Sequence, residues 1–430
     1  MAIKLNNRIL FLSLLFISPI YFLIIKLGIG HVNTTLVAAI PVLLLFLISY
    51  IMLILILFHG RWKVGKIQYL DLFVIIYFSL GIIQTLNPHL PNILYGVRGI
   101  HEHLLWISSY FIARLMFYSE HDCETLIKVI MVASLISCCY GILTMYIGVE
   151  RFESSYLEFI AREDILFVKR SVGTIASPFG FGLLCAIGLG ASSSLNSPFY
   201  NKRFGLFVAF ICFVGGIIIA SSRLVILGVF FSFAFVVVLQ RNKLTFRKVM
   251  KASALIILVF FILTLAIKYF NDTLYVKRLL SILSFQNESN LLARYYVWRN
   301  LLPFAETNPL GYGTGALGSA CYRYGSVVGN NLIADNNYIE ILIEQGALGV
   351  ILYLLIITSS IIASARLFKR DKTGISRFVL FISVLFAVSS VGAPPLKAFP
   401  GNLYFWTVLG AFSAYQSKSI IDGSKVKDHG

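Results

Sequence analysis

Residues 333–349, IADNNYIEILIEQGALG, decide the reading of this chain: Asp335, Asn336, Asn337 and Tyr338 run without a break into an apolar segment that carries Glu340 and Glu344. Asp and Asn satisfy the free amides of a helix start and suit the positive end of its dipole, so the cluster marks a helix N-terminus. The segment that follows stays apolar to about residue 362, enough to cross a hydrocarbon core of about 30 Å. Glu340 and Glu344 sit four residues apart at the start of that span, where acidic groups are costly and must face a wet cavity or a partner.

Working outward, composition shows that this is one span among many. The chain has 430 residues, 58% of them hydrophobic and 13% charged, with a mean hydropathy of +0.85. Its main solvent is therefore lipid. Apolar windows near 9–29, 35–58, 69–86, 99–117, 126–147, 174–195, 204–220, 222–239, 251–270, 337–362, 376–392 and 402–416 predict an all-α polytopic membrane protein with about twelve transmembrane helices. The first window lacks a small-residue cleavage site after a short hydrophobic core and is expected to be a retained helix.

Charge placement orients these spans, because short cytoplasmic loops collect Lys and Arg. With the N-terminus inside, the cytoplasmic segments hold Lys4 and Arg8; Arg61, Lys63 and Lys66; Arg114 and Lys128; Lys202 and Arg203; Arg241, Lys243, Arg247, Lys248 and Lys251; Arg366, Lys369, Arg370, Lys372 and Arg377; and Lys418, Lys425 and Lys427. That is 22 of the 36 basic residues, so most of the net charge of +17 is a topology signal. Both termini are expected in the cytoplasm, with anionic membrane lipid, and no nucleic acid, as the partner of the basic loops. Two external segments are long, 148–173 and 271–336, and the second contains an amphipathic stretch, LLARYYVWRNLLPFAE, expected to lie as a helix at the interface. The 430 residues thus read as a single membrane domain.

Several function classes lose support at this point. The sequence contains no CxxC, HExxH or Walker-type pattern, and no metal or nucleotide cofactor is indicated. Cys138, Cys139, Cys185 and Cys212 fall in apolar spans and Cys123 in a cytoplasmic turn, which leaves Cys321 outside without a disulfide partner. No internal repeat of the kind common in secondary transporters is evident.

The unusual charges lie on the external side. Arg223 interrupts FVGGIIIASSRLVILGVFF, either as the tip of a hairpin between short helices or as a ligand for an anion. Arg294 and Arg299 flank Tyr295, Tyr296 and Trp298 on the amphipathic stretch, and Arg98 stands in GVRGIHEHLLW at the outer end of the fourth window. Each has a bland alternative as an interfacial anchor. The planar fork of arginine nevertheless grips phosphate oxygens in bidentate fashion, and several such groups outside suggest a pyrophosphate ligand. In NPLGYGTGALG, residues 308–318, the glycines permit close backbone approach, whether as a hinge or beside a ligand. Asp335 is either a cap or a general base within reach of a hydrophilic acceptor.

Together these residues resemble the bacterial O-antigen ligase and polymerase superfamily of polytopic glycosyltransferases, over about residues 210 to 355. The matching features are Ser222 and Arg223 between apolar helices, Arg294 with Trp298, the 308–315 loop, and Asn336, Tyr338, Glu344 and Gly346 in the final helix. The resemblance implies a membrane glycosyltransferase architecture of the GT-C type with a large external loop, and a metal-independent transfer of glycan carried on undecaprenyl pyrophosphate. It implies that Arg223 and Arg294 hold the pyrophosphate, helped by Arg98 and Arg299. Asn336, Tyr338, Gly313, Gly315 and Glu340 are expected to line the substrate site. Family members use a histidine before the Asn-x-Tyr motif as base; here Asp335 holds that place, a pattern closer to a repeat-unit polymerase than to a ligase. A ligase acting on lipid A core or protein is the rival of the same chemistry, and a flippase or transporter the rival of another class. A chain-length regulator and a separate flippase would be the polymerase's companions.

The orientation has a direct test. A topology reporter fused after Gly65, Lys243 or Lys372 should read cytoplasm, and one near Asn287 or Cys321 should read exterior. An exterior signal at Lys243 would overturn the placement of every site residue above.

Overall fold

In a computed structural model, residues 8–20, 66–147, 171–175, 177–195, 203–240, 289–328 and 334–427 are described, and their regular structure is entirely helical. The helices are α1 (Arg8–Ile20), α2 (Tyr69–Gln84), α3 (Ile93–Gly99), α4 (Ser108–Met116), α5 (Glu120–Ile147), α6 (Pro178–Ser194), α7 (Arg203–Ala220), α8 (Arg223–Gln240), α9 (Ser289–Thr307), α10 (Ser319–Tyr324), α11 (Asn337–Asp371), α12 (Gly374–Ser389) and α13 (Gly401–Lys427). Nine of the twelve apolar windows fall on these elements, and that at 9–29 does so as far as residue 20; residues 21–29 and the windows at 35–58 and 251–270 lie outside the described residues. Among the described helices, α5 and α11 contain stretches long and apolar enough to cross a membrane, and six shorter ones are apolar over 10–17 residues. Of the two expected external loops, 148–173 is described only at 171–173, whereas 271–336 is described at 289–328 and 334–336.

One span departs from expectation. The window at 99–117 is not a regular helix: α3 passes into a π-helical turn, Ile100–Leu104, then a 3-10 turn, Leu105–Ile107, before α4. Neighbouring backbone crowds its start, since a Cβ on Gly96 would lie 2.3 Å from the Thr85 carbonyl oxygen and one on Gly99 only 2.6 Å from Gly315 N. Apolar content predicted the segment's burial, and contacts from distant residues set its backbone.

Helices α13 and α4, α8 and α12, α6 with α5 and α7, and α2 with α11 pack as neighbours. Aromatic rings fill the centre: Tyr77, Tyr110, Tyr353, Tyr404 and Trp406 are fully buried, and the Phe386 and Phe405 rings stack 4.2 Å apart. Large apolar residues also point outward, among them Ile75, Ile76, Ile82 and Ile83 on α2 and Ile351, Leu354 and Leu355 on α11. Such faces are stable in lipid, where they lose nothing by exposure.

The two ends of the bundle differ in charge chemistry. At the end bearing the N-terminus of α2, Asp71 accepts hydrogen bonds from Tyr110 Oη (2.6 Å), Ser413 Oγ (2.7 Å) and Arg114 Nη2 (2.8 Å) and from the Gln68 backbone amide (2.7 Å). Arg8 pairs with Asp122 at the same expected cytoplasmic face. Part of the basic charge expected to sit on lipid is thus engaged inside the protein. Asp71 and Gln84 are separated by thirteen residues of one helix, a rise of about 20 Å at 1.5 Å per residue. That separation puts the site described below at the other end.

The decisive local feature is a break in α11. Gly346 has φ +73° and ψ −173°, so the helix loses its regular bonding there. The freed groups are taken up by the glycine loop: Tyr312 N donates to Ile343 O (2.8 Å), Gly313 N to Glu344 O (2.9 Å) and Ala347 N to Pro309 O (3.0 Å). Gln84 closes the arrangement by donating to Leu310 O at 2.7 Å. Gly311 (φ +92°) abuts Gly346, and a Cβ on either would fall 2.4 to 2.6 Å from the partner's backbone. Neither position tolerates a side chain.

Gly311→Ala and Gly346→Ala should therefore each cost about 2–5 kcal/mol, combining left-handed strain with overpacking. Gly215→Ala is the control: its Cβ would meet nothing closer than 3.9 Å, and alanine should be neutral or stabilising by up to about 1 kcal/mol in a helix. Thermal unfolding of the detergent-purified variants checks the order. Equal melting points for the three would show that the stitched break is not a stability element.

Candidate active site

The site is assembled around the start of α11. The helix cap is Asn336, whose side-chain oxygen accepts from Tyr338 N (3.0 Å) and Ile339 N (3.1 Å). Asp335 is not the cap, contrary to the capping alternative. It lies one residue outside in a left-handed conformation, φ +44°, with its carboxylate 45% exposed. Arg294 Nε stands 3.3 Å from Asp335 Oδ2. One turn along α9, Trp298 Nε1 donates to Ala334 O at 2.6 Å and ties α9 to the residue before Asp335. The spacing of Arg294 and Trp298, four residues on one helix face, matches that double contact.

The second arginine reaches the same end by another route. Arg223 opens α8 directly after a tight turn in which Ser221 has φ +51°, the expected hairpin tip. Its neighbour Leu224 packs on Gly392, where an added Cβ would be 2.5 Å away. Asn336 Nδ2 donates to Val391 O (2.8 Å) in that same turn. Leu224, next to Arg223, and Asn336, next to Asp335, thus both contact one short segment, 391–392. Arg299 is exposed on α9. Arg98, on α3, has its Nε 3.0 Å from Glu102 Oε1.

Other predicted residues have packing tasks in this structure. Tyr338 Oη donates to Ala387 O (2.9 Å). Gly313 and Gly315 are buried in backbone contact with Gln84 and Tyr95. Glu340 is buried against Lys397.

Sequence reasoning expected a partner for Glu340 and Glu344 but missed the residues that supply it, Lys397, His103 and Glu102. Lys397, on a short turn between α12 and α13, pairs with Glu340 and lies 3.6 Å from Glu102 and 3.7 Å from Glu344. Burial works against its charge, but the carboxylates of Glu340, Glu344 and Glu102 outweigh it and hold its pKa above the ordinary lysine range. His103 Nε2 is 3.0 Å from Glu344 Oε2, and Leu317 N donates to Glu344 Oε1 at 3.2 Å. Glu102 and His103 both stand on the π turn, a geometry often found at functional sites. His103, Glu340 and Glu344 offer donor atoms within 4.8 Å of one another, a set that could hold a metal ion; Lys397 already supplies a tethered cation there. The missed signals were the HEH triplet inside an apolar window and a lysine on the external side, against the usual bias.

The described residues form helices with lipid-suited faces, as in a polytopic membrane protein, and just outside the cap of the broken helix Arg294 meets the half-exposed Asp335. Comparison with known proteins agrees. Residues 208–354 match a family model described as O-Antigen ligase. The chain is also 23% identical over 248 residues to an O-antigen polymerase of Salmonella muenchen, covering 56% of this chain and 59% of that protein. It therefore spans about three-fifths of the length of the curated relative it matches. Both similarities fall in the O-antigen ligase and polymerase superfamily that the motifs resemble.

The cap assignment has its own test. Asn336→Ala should cost about 1–2 kcal/mol of stability, whereas Asp335→Asn should leave the melting point nearly unchanged. The opposite ranking would return the capping role to Asp335.

Proposed function

We propose that this chain is a repeat-unit polymerase of surface polysaccharide, O-antigen or capsule. It joins oligosaccharides carried on undecaprenyl pyrophosphate at the external face of the bacterial cytoplasmic membrane. The observation that carries this reading is the pairing of Arg294 with an exposed Asp335, 3.3 Å apart, just outside the cap of α11. A carboxylate and an anion-binding fork share one surface there. The similarity to an O-antigen polymerase supports the same choice.

In the proposed reaction, Asp335 accepts the proton of an acceptor sugar hydroxyl as its oxygen attacks the anomeric carbon of the donor glycan. The bond from that carbon to the pyrophosphate oxygen breaks, and undecaprenyl pyrophosphate leaves with the bonding electrons. Arg223 and Arg294, with Arg98 and Arg299 nearby on their elements, neutralise the charge that builds on the leaving group. Asn336 and Tyr338 serve by holding the start of α11 in place, and a chain-length regulator and a flippase would act before and after this step. No metal is assigned a part.

Two measurements test the proposal. Gel analysis of surface polysaccharide should show single-unit chains in the deletion strain; long chains stranded on the carrier would indicate a ligase, and units trapped facing the cytoplasm a flippase. Asp335→Asn should copy the deletion, and Arg223→Lys and Arg294→Lys should impair polymerisation nearly as badly as alanine, because lysine keeps the charge but loses the fork. Normal ladders from Asp335→Asn at normal expression would remove Asp335 as the base.

A further inference from the structure

We infer that Lys397 is a positioning residue of the donor site: acting through Glu102, it fixes Arg98 relative to the start of α11. This rests on reading Arg98 as a pyrophosphate ligand. Glu102 is a bridging carboxylate. Its Oε1 takes Arg98 Nε at 3.0 Å and its Oε2 faces Lys397 Nζ at 3.6 Å. Two cations on two oxygens fix the plane of the carboxylate, and with it the direction in which the arginine side chain leaves α3.

Lys397 is itself held from three sides. Glu340 and Glu344 face its ammonium from α11. Its turn is tied down where Asn402 Nδ2 donates to Leu396 O (2.8 Å), and the same connection is tied to the start of α11 by Asn336 Nδ2 on Val391 O (2.8 Å) and by Asn337 N on Ser390 O (2.9 Å). Gly318 closes the remaining approach, since a Cβ there would lie 2.8 Å from Nζ. With a side chain only 13% exposed, Lys397 directs its charge at these carboxylates. Its reach to Glu102 connects α3, which carries Arg98, to α11, beside which Asp335 stands. Neutralising buried acids explains the contacts with Glu340 and Glu344, and the contact with Glu102 adds the link to Arg98.

Donor kinetics on purified protein in nanodiscs separate positioning from simple neutralisation, using as donor the lipid-pyrophosphate glycan extracted from a strain deleted for this chain. Glu102→Gln leaves Lys397 paired with Glu340 and Glu344 and removes the negative charge that bridges it to Arg98. It should raise the donor KM by about tenfold or more while kcat stays within about threefold. Lys397→Met should show the same split, and Lys397→Arg should recover most of the donor affinity. Arg98→Ala combined with Glu102→Gln should be no worse than Arg98→Ala alone, because the two substitutions break one device. Should Lys397→Met fail to fold, the Glu102→Gln variant and the double variant carry the test. An unchanged donor KM in Glu102→Gln, or effects that multiply in the double variant, would overturn the inference while leaving the polymerase reading intact. No transfer by the wild-type protein from this donor would overturn both.

Discussion

A backbone hydrogen-bond requirement governs this structure. Within lipid, a peptide group without a partner costs several kcal/mol, so a helix can break only where other groups replace its lost bonds. At Gly346 the replacements come from the 308–313 backbone, whose groups pair with Ile343, Glu344 and Ala347. That exchange fixes the loop after α9 to α11, and Gln84 of α2 joins it through Leu310. Two elements of the proposed site adjoin this seam. Trp298 and Arg294 stand on the helix leading into the loop, and Asp335 stands just before the broken helix.

Charge burial is the second constraint. A carboxylate inside a bundle is tolerated when each of its oxygens finds donors, and both ends of this molecule meet that demand differently. Asp71 is saturated by one arginine, two hydroxyls and an amide, which makes it a closed structural group. Glu102, Glu340 and Glu344 instead share one lysine. Sharing leaves this cluster sensitive to any change in a single member, and it places that sensitivity beside Arg98. Asp335 belongs to neither group, being half-exposed with a single arginine partner, which is the condition a proton acceptor for an external hydroxyl requires.

Much of this was legible in order of scale. Lipid solvation follows from composition, because no arrangement of so apolar a chain can hide its surface in water, and the boundaries of nine apolar windows match described helices within a few residues at most ends. The helix start at 335–337 was legible from its polar run, but the cap shifted by one residue: Asp335 and Asn336 are both good caps, and only the backbone direction at each decides between them. The NPLGYGTG loop was legible as irregular; its partner was not, since nothing local announces that Gly346, more than thirty residues on, would present unpaired carbonyls to it.

By itself, then, the sequence determined the solvent, the helical class and the short motifs that resemble a transferase superfamily, all of which depend on composition or on residues within a few turns of one another. Only the tertiary structure decided that Lys397 meets Glu340 across 57 positions, that Arg294 meets Asp335 across 41, and that Glu102 and His103 turn inward on a π-helical turn. The reason is physical. Propensity and periodicity act over a few residues, whereas buried charges are matched by whichever partners the packed helices bring within hydrogen-bond reach.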